Sequence, residues 1–125
     1  MNTTIRSMIV LMAMFGVGAS AQEPSCVSTL SNADLVAAIG KGIAIQPVFA
    51  RASVKGFRLY NIHHSAQLTA QGISTGSLMT HVCGVPANEI YAKGGNICCN
   101  VDASRQFEVT FQLADGERKL TIYRP

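Results

Sequence analysis

A chain of 125 residues with a formal net charge of +3 is long enough for one small domain and no more. Its ten basic and seven acidic residues are closely matched and scattered, which excludes a nucleic-acid-binding surface built on clustered Lys and Arg. Its four cysteines, an even number, are the material for two disulfides, provided the compartment is oxidising.

The N-terminus bears on that condition. Arg6 precedes an unbroken apolar run over residues 8–17, and Ala19, Ser20 and Ala21 supply the small side chains of a signal peptidase site. Residues 1–21 therefore read as a signal peptide, cleaved before Gln22. The run falls short of the roughly 20 apolar residues that span a bilayer, so a retained anchor is the less favoured alternative. Export predicts a periplasmic or secreted protein without a stable membrane span, and Cys26, Cys83, Cys98 and Cys99 all lie in the exported part. Removal of residues 1–21 takes away Arg6 alone, leaving nine basic against seven acidic residues and one modest core.

Residues 22–48 read as a lead-in containing one short helix. Ser31 or Asn32 can cap it, Asp34 suits the positive first turn, and Leu35, Val36 and Ile39 share a face; Gly40 and Gly42 end it. Two β-type runs follow, "IAIQPVFA" and "ASVKGFRLYNI", and Pro47 demotes the first to an edge or irregular strand. "HHSAQLTAQ" predicts a short helix or turn. "SLMTHV" predicts a strand with Leu78, Thr80 and Val82 on one side and Met79, His81 and Cys83 on the other. Pro86 suits a helix start, and one or two short helical pieces are expected within 87–103, interrupted at Gly94 and Gly95. At the C-terminus Phe107, Val109, Phe111 and Leu113 alternate with polar residues. Asp115 and Gly116 predict a two-residue turn of the primed type, and Leu120 and Ile122 continue the alternation on the return strand. The sum is an α+β domain of about five short strands and two or three short helices.

His81 and Cys83, two apart on one strand, have the residue types of a nucleophile and base or of two metal ligands. No third group is in sight to orient the histidine, and no Cys-x-x-Cys spacing accompanies them. A disulfide is the better use of Cys83 in an exported chain. Of the three connectivities, the one joining Cys98 to Cys99 needs a strained vicinal ring. On a helix these neighbours point about 100° apart, so each can reach a different partner. Cys83–Cys98 with Cys26–Cys99 is favoured slightly over the exchanged pairing. His63 and His64 read as a solvated corner, and the acids Asp102, Glu108, Asp115 and Glu117 form no acid–base arrangement. No catalytic residue, metal site or cofactor is expected.

Three elements in order carry a family resemblance: the glycine-preceded strand "KGFRLYNI", the glycine-bracketed strand "GISTGSLMTHVCGVP" and the terminal hairpin "FEVTFQLADGERKLTIYR". This order resembles the PDZ domain, in particular the PDZ-like domain of the type II secretion system inner-membrane protein C, over residues 49–125. Ser77 and Cys83 stand where that family tends to have Asp and Asn, while Gly76 and Gly84 are kept. The resemblance implies a small PDZ-like β-sandwich or partly open barrel. It also implies binding of a protein or peptide partner of the cell envelope by strand addition, with a link to type II protein secretion. The expected binding strand is Gly56, Phe57, Arg58, Leu59 and Tyr60, with the helical stretch from Ile90 to Val101 as the opposite wall. The rival reading is a disulfide-bonded inhibitor or immunity-type protein that blocks an enzyme through an exposed loop such as "AKGGN".

Overall fold

Ser31 starts the first helix, α1 (Asn32–Ile39), by accepting from the Asp34 backbone N–H while the Asp34 carboxylate accepts from the Ser31 N–H. These reciprocal bonds form a capping box that satisfies two otherwise orphaned donors. In this computed structural model the described residues are 26–125. The expected signal peptide and its cleavage point lie outside them. Past Gly40 and Gly42, both at positive φ, the chain enters β2 (Ala44–Ala50) and turns back into β3 (Ser53–Tyr60). A 3-10 turn (Ile62–His64) and α2 (Ala66–Ala70) follow, the latter capped by the Ser65 hydroxyl.

β4 (Leu78–Val82), the two-residue β5 (Val85–Pro86), β7 (Gln106–Leu113) and β8 (Gly116–Tyr123) complete the main sheet, and α3 (Ala87–Ala92) follows directly on β5. Its order is β2-β3-β4-β7-β8, antiparallel throughout, with β5 hairpinned onto β4. The mixed α+β class and the three short α-helices among the described residues match the expectation, and the five-strand path leaves the sheet open rather than closed into a barrel. A separate two-stranded sheet joins β1 (Ser28–Leu30) to β6 (Ile97–Cys99). One contiguous core runs under both sheets, with Leu30, Leu59, Leu68, Val109, Phe111 and Ile122 fully buried.

Several expectations are corrected. The pairing of β4 with β7 shifts between Met79 and His81, so a bulge at Thr80 breaks the alternation and buries Met79 and Val82 on the same side. The final hairpin turns at Ala114 and Asp115, one residue earlier than expected, and the positive φ falls on Gly116 after them. Residues 97–99, expected to be helical, form β6, so only residues 87–92 of the 87–103 stretch are helix. That change reverses the disulfides, which join Cys26 to Cys98 and Cys83 to Cys99. On a strand, neighbours face opposite ways: Cys99 turns into the core toward Cys83, and Cys98 turns out toward Cys26 beside β1.

The turn that presents Cys83 has a local cost. Cys83 and Gly84 both have positive φ, at 54° and 76°, between the paired Val82 and Val85. This is a two-residue hairpin of the primed kind, where Asn-Gly is the favoured sequence. Cys83 accepts the less comfortable backbone and is held there by its bond to Cys99.

Candidate functional site

The five residues expected to receive a peptide lie on β3, which is an interior strand. β2 covers one side of it along its whole length, and β4 pairs with it at Phe57 and Arg58. An added strand has no free edge there. Gly56 serves the sheet itself: a Cβ at that position would stand 2.7 Å from Leu78 Cγ and 3.1 Å from the Met79 carbonyl oxygen. Leu59 is core, and Tyr60 is half-buried opposite Ala44. Arg58 points to the other face, where its Nη1 donates to the Gly76 carbonyl at 2.6 Å. Phe57 alone among the five lines the apolar cleft described next.

The main sheet has two edges, and they differ. On β8, α2 supplies substitutes for a missing strand. The Gln67 side-chain amide accepts from the Tyr123 N–H and donates to the Tyr123 carbonyl, both at 2.7 Å, and Arg118 donates to the Gln71 carbonyl at 2.9 Å. Covering an edge in this way is how sheet proteins prevent stray pairing. β2 is the other edge, with no strand on its outer side among the described residues. Pro47 lies in it, as its sequence context predicted.

Beneath β2 opens an apolar cleft of about 390 Å³. Ile43, Ile45 and Pro47 form one wall, Ile90 and Tyr91 of α3 the other, and Phe57 and Met79 the floor; Leu35 and Val36 of α1 also border it. Phe49 at the far end of β2 meets Tyr91 edge to face, with ring centroids 5.6 Å apart and planes at 88°. Tyr91 lines the cleft and Phe49 packs on it just outside the lining, and both rings are about half exposed. The loop leading into β2 is held from behind: a Cβ on Gly42 would lie 3.1 Å from the His64 ring, and one on Gly40 would lie 2.9 Å from the His64 carbonyl. The clue in the sequence was the stretch Gly40, Lys41, Gly42, Ile43, a glycine-rich entry into an alternating strand. It reads as a helix stop because α1 ends there.

The other constellation dissolves. Cys83 is bonded to Cys99, and no free cysteine is found among the described residues, so no thiolate stands beside His81. His81 Nδ1 lies 2.9 Å from the neighbouring Thr80 Oγ1 instead. No three His, Cys, Asp or Glu side chains gather to share a metal ion among the described residues. Asp102 is held below the ordinary carboxylate value chiefly by hydrogen bonds from Ser104, with a smaller contribution from the Ser28 hydroxyl. Its role is to tie residues 102–104 to β1, since Ser28 Oγ also accepts from the Ala103 N–H at 2.9 Å. None of the described helices is long and apolar enough to cross a membrane, and the two disulfides fit an oxidising compartment. Comparison of the chain with protein-family models, with curated proteins and with solved structures finds no match.

Proposed function

We propose that the protein is a non-enzymatic, PDZ-like binding module that takes an extended peptide segment along the free edge of β2, with an apolar side chain seated in the cleft against α3. One observation carries this reading: of the two sheet edges, β8 is capped at its C-terminal end by α2, whereas β2 has no strand on its outer side among the described residues and lies over an apolar cleft. Strand addition needs both features, since main-chain bonds supply affinity and a pocket for alternate side chains supplies selectivity. The order of the three sequence elements supports the PDZ-like assignment. Together with the signal-like N-terminus and the disulfides, it supports a periplasmic or secreted setting, with type II protein secretion the first process to examine. The rival loop-inhibitor reading loses its separate location, because Gly94 and Gly95 of the proposed inhibitory loop are part of the cleft wall.

The experiment is selection of binders from a random peptide library on the oxidised protein, followed by affinity measurement on Phe49→Ala and Tyr91→Ala. Both side chains are about half exposed, so these variants keep the fold. Loss of peptide binding by about tenfold or more supports the proposal. Selected peptides that bind both variants unchanged, or failure of selection to yield any binder, would overturn it.

A further inference from the structure

A second cleft lies on the opposite face of the sheet from the proposed peptide site. It measures about 490 Å³ and is lined largely by polar residues, among them Arg58, Ser74, Thr75, Ser77, Gln112 and Asp115. Neighbouring residues on a strand face opposite ways, so Phe57 lines the apolar cleft and Arg58 this one. The guanidinium carries five N–H donors in a planar fork, and its recorded hydrogen bond uses one of them, to the Gly76 carbonyl. Arg58 is half-buried, yet no carboxylate lies within 4.0 Å of it among the described residues; the ion pairs there are Lys93–Glu89 and Arg124–Asp34.

A half-buried guanidinium with donors left over favours an acceptor, and an anionic one most strongly. Nearby acids do not fill this role. Arg58, Leu78, Gln112 and Glu117 stand in register across four strands, which puts Glu117 about 14 Å away at three strand spacings. Asp115 lies on the cleft wall, at the β7–β8 turn, outside ion-pair distance. The cleft also has a hydroxyl with its proton to spare. Thr75 Oγ1 accepts from the Ile62 N–H at 3.2 Å and so keeps its own proton for a ligand, whereas Ser77 Oγ gives its proton to the Ser74 carbonyl at 2.7 Å.

We infer that this cleft binds a small oxyanion, carboxylate or phosphate, held by the Arg58 fork with Thr75 as a second donor. Arg geometry matches both anions in a two-bond arrangement. The site is independent of the peptide site, and either can fail without the other.

The test is a titration of the 15N-labelled full domain with inorganic phosphate and, separately, with acetate, at ionic strength held constant with sodium chloride. The inference predicts saturable shifts at residues 58, 74–77 and 112–115. Arg58→Gln should weaken them at least tenfold, Arg58→Lys should have an intermediate effect, and Asp115→Asn should tighten binding at least twofold by removing a competing carboxylate. Saturation by phosphate at lower concentration than acetate identifies a phosphate ligand, and the reverse a carboxylate. Shifts that rise linearly without saturating, or that persist unchanged in Arg58→Gln, would overturn it. Should Arg58→Gln lose the fold with its bond to Gly76, Asp115→Asn decides, and unchanged affinity there would also overturn it.

Discussion

Gly56 heads the strand that the sequence offers for peptide binding. What approaches it is Leu78 of the neighbouring strand. Gly56→Ala would overpack that contact against a Leu branch point and a backbone carbonyl, neither free to move aside, and should destabilise by about 1–3 kcal/mol in urea denaturation. Asp34 gives a second test at this scale. The Ser31 N–H, the Ser31 hydroxyl and Arg124, 3.4 Å away, act in that order to hold its carboxyl below the ordinary value of 3.8. A group whose value is depressed by folding stabilises fully above its unfolded value and loses that contribution as the pH falls through the folded one. Asp34→Asn should therefore flatten the decline of the denaturation midpoint below about pH 4. Ser31→Ala should cost about 1 kcal/mol at neutral pH as well, by removing the helix cap. Both follow from residues the sequence marked correctly, because capping is local and needs no knowledge of the rest of the fold.

Among the elements, those with a strong period were legible and those deciding neighbours were not. β7 and β8 announce themselves through Phe107, Val109, Phe111, Leu120 and Ile122, all buried as the alternation requires. β6 was hidden: three residues pairing with β1, whose partners lie 67 residues or more earlier, leave no periodic signal. Its strand geometry decides the disulfides, which is why a helix-based argument chose the wrong pairing. The two bonds differ in what they restrain. Cys83–Cys99 closes a loop of sequence separation 16 and Cys26–Cys98 one of 72, so chain entropy assigns them about 3 and about 4 kcal/mol. Cys26→Ser/Cys98→Ser should lower stability by up to that amount and release β1 first, seen as faster amide exchange at Thr29 and Leu30 than in the core strands. Gln67 tests the edge argument. Gln67→Ala leaves the Tyr123 backbone unpaired, and it should cost about 1–2 kcal/mol and raise aggregation through β8, measurable by light scattering.

For the whole molecule, the strand order carries the functional reading, and order was the part least visible in the sequence. The composition, the class and the alternating hairpin could be read directly, yet nothing in "KGFRLY" says whether a strand lies inside a sheet or at its rim. Pro47 did say so for its own strand, and the site belongs there: β2, its glycine-rich entry and the facing α3 bound one cleft. The most direct measurement is amide hydrogen exchange of the oxidised domain with and without a library-selected peptide. Strand addition predicts new protection confined to the outward amides of residues 43–49 on either side of Pro47, which has no N–H, with side-chain shifts at Ile90 and Tyr91. Protection that instead appears along β8, or no new protection in β2 at saturating peptide, would contradict it.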